Sequence, residues 1–163
     1  MGLYAQAVLE TQVGKIAVFN NEEALTGIDL FADSIRYRIK NANDLTEQLV
    51  SQLSAYFAEN LLDFDVPIFL QGTSFQQTVW QALCDIPAGE CWTYGQLAKE
   101  LGTSPRAIGG ACRRNPIPIV VPCHRIVAAS GIGGYSGQWQ EGKKVDIKAW
   151  LLQHEQNQID DQS

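Results

Sequence analysis

Histidine is scarce in this sequence, which limits the metal chemistry that the chain can support. The 163 residues include two histidines, His124 and His154, so a site built from several imidazole ligands is not expected. The cysteines, at positions 84, 91, 112 and 123, lack the paired C-x-x-C spacing of zinc knuckles. We therefore predict no metal and no cofactor.

Long apolar runs are also missing. No stretch approaches the roughly 18 apolar residues that a membrane-spanning helix needs. The opening Met-Gly-Leu-Tyr-Ala-Gln lacks the basic and apolar regions of a signal peptide and a myristoylation pattern. Because nothing suggests secretion, reduced thiols are favoured over disulfides. We expect a cytoplasmic protein without a membrane partner, and 45% hydrophobic residues suffice for a buried core.

The excess of positive charge that suits a tight nucleic-acid binder is absent from the chain as a whole, whose net charge is −6. The charge is unevenly distributed, however. Residues 1–72 carry four cations and ten anions, residues 73–140 carry five and three, and residues 141–163 carry three and five. A modestly basic middle between acidic ends predicts weak, transient contact with phosphates.

The first part of the chain is predicted to form a small antiparallel sheet and a helix. Residues 3–10, 15–19 and 24–30 are short, partly alternating segments separated by turn signals. A helix is expected over residues 44–59, with Asn43 as its N-cap. The extended stretch over residues 63–72 suggests a domain boundary after residue 72. Residues 1–72 contain no catalytic pattern and are interpreted as a scaffold.

Three helices are predicted between residues 74 and 114. A capping-box pattern at residues 74–77 opens the first helix, and Pro87 ends it. Thr93 and Gln96 form a second capping-box pattern, which opens a helix that ends at Gly102. Ser104 caps a third helix, which begins at a proline.

The last two of these helices fit a helix-turn-helix, with the second as the candidate recognition helix. That helix carries Arg106, Arg113, Gly109 and Gly110. Each glycine costs roughly 1 kcal/mol relative to alanine, which close approach to a DNA strand or to another helix would offset. An ordinary pair of packed helices is an equal alternative for this segment.

The stretch over residues 117–127 carries the main chemical signal. Residues 119–121 are β-branched and apolar, which predicts a short buried strand that ends at Pro122. Cys123 follows, with His124 and Arg125 directly after it. Cationic and basic neighbours favour the thiolate, which is the nucleophilic form of cysteine. We interpret Cys123 as a reactive thiol; a buried structural cysteine is the alternative.

The last part of the chain is predicted to contain a pocket-shaping loop and one helix. Small residues over positions 128–134 are typical of loops that line binding sites. The helix is expected over residues 143–153, and residues 156–163 are interpreted as a frayed polar tail. The predicted domains are therefore residues 1–72 and 73–155, with the tail after them.

Several short motifs follow one another in the second part of the chain. They are Phe75-Gln76-x-x-Val79-Trp80, Ile86-Pro87-x-Gly89, Thr93-Tyr94-Gly95, Arg106-Ala107-Ile108-Gly109-Gly110-Ala111, Asn115-Pro116, Pro122-Cys123-His124-Arg125, Tyr135-Ser136-Gly137 and Trp150-Leu151-Leu152-x-His154-Glu155. In this order and spacing, residues 75–155 resemble the methylated-DNA–protein-cysteine methyltransferases, the O6-alkylguanine-DNA alkyltransferases.

This resemblance implies an α+β fold. The family places a small antiparallel sheet with a helix, similar to ribonuclease H, before a mostly helical domain with a winged-type helix-turn-helix. Some members bind structural zinc in the first domain. Here no Cys or His precedes residue 84, so zinc is not expected.

The resemblance also implies a DNA-repair reaction that uses the protein once. Cys123 would accept the alkyl group of O6-alkylguanine, and His124 would draw the thiol proton through a bridging water. Glu155 would orient that imidazole, Asn115 would hold the surrounding segment, and Tyr94 would donate a hydrogen bond to guanine N3. O4-alkylthymine is left open as a second substrate.

Duplex DNA, bound by a monomer through the minor groove, is the partner that the resemblance implies. Arg106 would fill the base stack after the damaged nucleotide is flipped out. The remaining predicted DNA-binding residues are Ala107, Gly110, Thr93, Gln96 and Arg113. The predicted pocket residues are Tyr135, Ser136, Pro118 and Val127.

Two other functions fit parts of the sequence. A helix-turn-helix regulator without chemistry would explain residues 93–114 but not the Pro-Cys-His-Arg segment or Glu155. A cysteine hydrolase would normally place its base far from its nucleophile in sequence, and no oxyanion-hole motif stands out. Within the family, the alkyltransferase-like proteins lack the acceptor cysteine, which this chain has.

Overall fold

The protein forms two compact units, described here from a computed structural model that covers residues 3–58, 63–129 and 143–162. The first unit is Met1–Leu70 with Pro116–Pro118, and the second is Gln71–Asn115 with Ile119–Ser163. The first has most of the strands and one α-helix, and the second is mostly helical. The predicted α+β class is confirmed.

The first unit contains the predicted antiparallel meander. Its strands are β2 (Ala7–Thr11), β3 (Gly14–Asn20) and β4 (Leu25–Asp29), which are hydrogen-bonded in that order. Ile16, Ala17 and Val18 on β3 are fully buried. Because β3 is the central strand, its apolar run lies in the core of the unit.

A second, parallel sheet in this unit was not predicted. It pairs β1 (Leu3–Ala5) with β5 (Tyr37–Ile39), so the expected strand over residues 3–10 is broken into two. Gln6 lies at the break: its Oε1 accepts from the Asn20 backbone N–H at 2.9 Å, and its Nε2 donates to the Lys40 carbonyl at 3.1 Å. The side chain thus hydrogen-bonds to both neighbouring segments where the chain changes sheets.

Helix α1 (Asp44–Phe57) begins as the sequence predicts. The Asn43 side chain accepts from the Thr46 backbone N–H at 3.0 Å, and the Thr46 hydroxyl accepts from the Asn43 backbone N–H at 3.0 Å. Reciprocal caps of this kind satisfy two of the N–H groups left free at a helix start. Leu49, Leu53 and Tyr56 are buried on one face of the helix, which anchors it in the core.

Within the described residues, the second unit contains four α-helices and a two-stranded sheet. The elements in chain order are α2 (Ser74–Cys84), β6 (Trp92–Thr93), α3 (Tyr94–Leu101), α4 (Pro105–Arg113), β7 (Ile126–Val127) and α5 (Lys143–Gln162). The predicted cap of α2 is wrong by one residue, because Thr73 rather than Ser74 accepts from the N–H of the third helical residue, Gln76. Phe75 in this helix is 39% exposed.

The helix-turn-helix is formed by α3 and α4, with the predicted caps. The Thr93 hydroxyl accepts from the Gln96 backbone N–H at 3.0 Å, and Gln96 Oε1 accepts from the Thr93 backbone N–H at 2.8 Å. Gly102 ends α3 at φ 69°, a left-handed conformation that glycine adopts without steric cost. Ser104 caps α4, whose first residue is Pro105.

Residues 119–121 do not form the predicted strand. They form a turn in which Ile119 has φ 75°, although Ile119 and Val121 are buried as expected. The reason lies in three prolines at even-numbered positions, Pro116, Pro118 and Pro122. In a strand, the backbone N–H groups of alternate residues point to the same edge, so these prolines would all remove donors from one edge. The apolar composition therefore predicted burial correctly and the local conformation wrongly.

Helix α5 continues well past its predicted end. It runs to Gln162, so residues 156–162 are helical rather than frayed. Two side-chain hydrogen bonds span one turn each, from Gln153 to Asn157 at 2.9 Å and from Gln156 to Asp160 at 3.0 Å. Gln158 is 1% exposed. The polar composition concealed this helix, because its side chains hydrogen-bond along the helix surface and one of them is buried.

Candidate functional site

The site is formed where a short 3-10 helix, Cys123–Arg125, lies against α5. Cys123 is 5% exposed, and His124 and Glu155 are fully buried. Three residues predicted as the nucleophile, its base and the orienting carboxylate are therefore buried in the second unit. His124 and Glu155 are in direct contact.

A buried hydrogen-bond network holds the carboxylate of Glu155. His124 Nε2 lies 2.7 Å from Glu155 Oε2. Arg125 donates through Nε to Oε1 at 2.9 Å and through Nη2 to Oε2 at 3.0 Å. A third donation, from Arg125 Nη1 to the Ile86 carbonyl at 2.6 Å, fixes the guanidinium itself. Planar, two-pronged pairing of this kind constrains both position and orientation.

The charges of this network follow from its surroundings. Burial alone would raise the pKa of Glu155, but His124 and Arg125 lower it to about 2. Burial lowers the pKa of His124, against the opposing effect of Glu155. At neutral pH the pair is therefore an ionised carboxylate and a neutral imidazole.

These protonation states leave one ring nitrogen of His124 able to accept a proton. An ionised carboxylate only accepts hydrogen bonds, so Nε2 is assigned the proton of the neutral ring and Nδ1 the lone pair. Nδ1 is buried and has no hydrogen-bond partner within the described residues. The arrangement can serve as a base oriented by a carboxylate.

Asn115 and Tyr94 flank the site. Asn115 Nδ2 donates to the Val121 carbonyl at 2.8 Å, so it bridges the two ends of the turn that precedes Cys123. Tyr94, the first residue of α3, is partly buried. Burial and the neighbouring thiols of Cys112 and Cys123 raise its pKa, so its hydroxyl stays protonated and can donate.

Two charged residues at the site, Arg125 and Lys148, were not predicted from the sequence to belong to it. Arg125 was read only as a cation beside Cys123, because its partner Glu155 is 30 residues away. Lys148 is 1% exposed, and its Nζ lies 5.6 Å from the centre of the Tyr94 ring. Lys148 is seven residues before Glu155 and so lies on the same face of α5, a spacing that was available in the sequence.

Burial lowers the pKa of Lys148, while the thiols of Cys123, Cys112 and Cys91 act in the opposite direction. The Lys148 ammonium group interacts electrostatically with all three thiols. A positive charge there favours thiolates over thiols.

The predicted DNA-binding residues lie on α3 and α4. Arg106 and Arg113 are exposed, and Ala107 and Gly110 are partly buried. Thr93 and Gln96 have their side chains engaged in the cap of α3. All six stay predictions as DNA contacts.

Two of the four predicted pocket residues lie within the described structure. Tyr135 and Ser136 lie outside the described residues. Val127 is on β7 in the second unit, whereas Pro118 is buried and belongs to the first unit. Their common role also stays a prediction.

Across residues 3–58, 63–129 and 143–162, no three His, Cys, Asp or Glu side chains that the structure describes are placed to hold a metal ion. No helix within these ranges has the length and apolarity to cross a bilayer.

Two family models together match most of the chain. One is described as 6-O-methylguanine DNA methyltransferase, ribonuclease-like domain, and matches residues 4–70. The other is described as 6-O-methylguanine DNA methyltransferase, DNA binding domain, and matches residues 74–157.

Individual relatives cover nearly the full chain. A methylated-DNA–protein-cysteine methyltransferase of Methanosarcina mazei is 38% identical over 93% of this chain and 97% of its own. A crystal structure of Mycobacterium tuberculosis O6-methylguanine methyltransferase has TM-score 0.80 and 34% identity, covering 97% of this chain and 94% of that one. A structure of the M. tuberculosis protein in complex with DNA has TM-score 0.77 and 35% identity, covering 93% and 92%.

Proposed function

The chain belongs to the methylated-DNA–protein-cysteine methyltransferases, and we propose that it repairs duplex DNA by moving an alkyl group from guanine O6 to its own Cys123. The observation that carries this assignment to Cys123 is the sequence-adjacent His124, buried and paired with Glu155 at 2.7 Å. Residues 1–72 act as the scaffold domain, and residues 73–155 carry the DNA-binding and transfer functions.

The transfer begins with loss of the Cys123 proton. His124 Nδ1 takes this proton through a bridging water, and the resulting imidazolium is stabilised by the carboxylate of Glu155. The thiolate then attacks the alkyl carbon, forming the S–C bond as the C–O6 bond breaks. The bond electrons go to the guanine, and Tyr94 transfers its hydroxyl proton to N3, so the base leaves neutral. The proton that His124 took from Cys123 then returns to the tyrosinate through solvent. The thioether is stable, so each molecule reacts once.

Recognition of the damaged base uses α4 in the minor groove. Arg106 fills the stack after the alkylated nucleotide is flipped out, and Ala107, Gly110, Thr93, Gln96 and Arg113 contact the strand around it. The flipped base enters a pocket lined by Tyr135, Ser136, Pro118 and Val127. A monomer suffices, because the proposed groups all come from one chain.

A cytoplasmic location is part of the proposal. None of the four cysteines, all of which lie within the described residues, is in a disulfide, as a reducing compartment would keep them.

Single-turnover kinetics test the function against its main alternative. Duplex DNA with a labelled O6-methylguanine is mixed with excess protein, and label is followed on protein and DNA. Transfer of one equivalent supports the proposal. A helix-turn-helix regulator would bind the duplex and leave the label on the DNA.

Arg106→Ala is expected to slow transfer from duplex DNA about 10- to 100-fold while free O6-benzylguanine reacts almost as before, because only the duplex requires a flipped nucleotide to be replaced. The measurement is the transfer rate with both substrates. Arg114→Ala, a change of another exposed arginine at the end of α4, is the matched control. A purely phosphate-binding Arg106 would weaken binding to all duplexes alike and lower the salt slope by about one. Equal losses with both substrates would refute the stack-filling role.

A further inference from the structure

The part of α5 beyond Glu155 packs against a turn that also holds the site. A Cβ added at Gly89 would overlap Cδ1 of Ile159, so the isoleucine lies directly against the glycine. Gly89 has φ 88°, a backbone conformation that favours glycine, and the Glu90 N–H donates to the Pro87 carbonyl at 3.1 Å. We call residues 86–90 the 86–90 turn.

The opposite end of the 86–90 turn reaches the catalytic network. The Ile86 carbonyl accepts a hydrogen bond from Arg125 Nη1 at 2.6 Å, and Arg125 also donates to both carboxylate oxygens of Glu155. Arg125 is 6% exposed. Separating a buried guanidinium from its partners is strongly destabilising, which couples its position to theirs. A displacement of the 86–90 turn would therefore shift Arg125, the carboxylate of Glu155 and the imidazole bound to it.

We propose that Ile159 is a positioning residue, which fixes the 86–90 turn through Gly89 and thereby the Arg125–Glu155–His124 network. The proposal rests on the function proposed above, since it concerns the base of that reaction. Ile159 itself touches no reacting atom. Its expected effect is on the efficiency of His124 as a base.

Residues 156–159 also support the network through the backbone hydrogen bonds of α5. In an α-helix the carbonyls of residues 151–155 accept from the N–H groups of residues 155–159. Leu151, His154 and Glu155 are buried, so their carbonyls need these intrahelical partners. Packing of Ile159 on Gly89 holds the turn of helix that supplies the donors.

The pH profile separates positioning from general stability. His124 is influenced electrostatically by Glu155 and Lys148 on α5 and by Arg125 beside it. Cys123 interacts electrostatically with Cys112, Tyr94 and Lys148. Ile159 is uncharged, so changing it leaves all these charges in place. A less well oriented His124 costs rate at neutral pH, whereas at high pH the thiolate forms without its help.

The test compares Ile159→Ala with Asn157→Ala, an exposed residue two positions earlier on the same helix. We expect Ile159→Ala to transfer the alkyl group roughly tenfold more slowly than the parent at neutral pH, and nearly as fast as the parent at about pH 9.5. The tenfold loss is smaller than the roughly 100- to 10,000-fold acceleration that a positioned base contributes, because His124 is still present. Asn157→Ala should match the parent at both pH values. Ile159→Val removes only the contacting Cδ1 atom. It should lower the transfer rate less than Ile159→Ala does, with the same dependence on pH, and it replaces the alanine variant if that variant unfolds.

Gly89→Ala completes a double-mutant cycle. It should be less harmful in the Ile159→Ala background than in the parent, because the overlap with Cδ1 is then gone. Parental rates for Ile159→Ala at every pH, or an equal loss at every pH, would overturn the positioning role.

A readout without transfer keeps this result distinct from failure of the proposed function. The chain has two histidines, His124 and His154. A variant that lacks His154 therefore assigns the imidazole ¹⁵N signals of His124. Ile159→Ala should shift the His124 signals, and Asn157→Ala should not. Unchanged His124 signals in Ile159→Ala would overturn the inference even if transfer is absent altogether.

Discussion

Cys123→Ser is expected to abolish alkyl transfer and to leave binding to O6-methylguanine duplexes within about twofold of the parent, since the cysteine contributes chemistry rather than DNA contacts. A serine hydroxyl is almost entirely un-ionised at neutral pH and is a far weaker nucleophile than a thiolate. The substitution is nearly isosteric at a site that is 5% exposed, so the fold should persist. Transfer is measured with labelled duplex, and binding by titration of the same duplex.

The other cysteines supply the controls for this experiment. Burial raises the pKa of Cys112, Cys84 and Cys91, so these thiols carry less thiolate at neutral pH. Cys84→Ser and Cys91→Ser, both exposed, should transfer at the parental rate. Transfer that survives in Cys123→Ser, or an alkyl group mapped to another cysteine, would contradict the assignment.

Glu155→Gln is expected to slow transfer at least about 100-fold at neutral pH, with a smaller loss near pH 9.5. The carboxylate both orients His124 and stabilises the imidazolium that forms when Cys123 loses its proton. Raising the pH supplies thiolate directly, so the base matters less there. The measurement is the single-turnover rate from neutral to alkaline pH.

This substitution also affects folding. Arg125 is buried and loses its anionic partner, which costs about 3–5 kcal/mol when a buried ion pair is broken. Urea unfolding of the variant therefore accompanies the kinetics. Asp160→Asn removes an exposed carboxylate from the same helix and should change neither property. A Gln variant that matches the parent across the pH range would mean that His124 works without Glu155.

Helix starts could be predicted from sequence because they depend on local hydrogen bonds. Asn43, Thr93 and Ser104 each cap a helix by accepting from a backbone N–H three residues later. The antiparallel meander was likewise predicted from short neighbouring segments. The parallel pairing of β1 with β5 was missed because its strands are separated by more than 30 residues, and no local pattern specifies that contact.

The turn at Ile119 and the end of α5 show what composition conceals. Three β-branched residues predict a strand, but the prolines around them remove the donors that a strand needs. The polar residues after Glu155 suggest a frayed tail, yet Ile159 packs on Gly89, a contact between residues 70 positions apart.

The site was predicted unevenly for a related reason. Cys123 and His124 stand together in sequence, whereas Glu155 was assigned through the family resemblance and not by any pattern of its own. Arg125 was adjacent to the nucleophile, but its role depends on Glu155 and Ile86, both distant in sequence. Lys148 could have been found from its spacing to Glu155, once Glu155 was accepted as part of the site.

Mass spectrometry of the intact protein tests the central claim most directly. The protein is incubated with duplex DNA containing O6-methylguanine, and its mass is compared with that after incubation with undamaged duplex. We predict that the mass rises by one methyl group in place of one hydrogen, that the change saturates at one per molecule, and that peptide mapping places it on Cys123. An unchanged mass while the lesion is present in excess, or a methyl group on any other residue, would contradict the account.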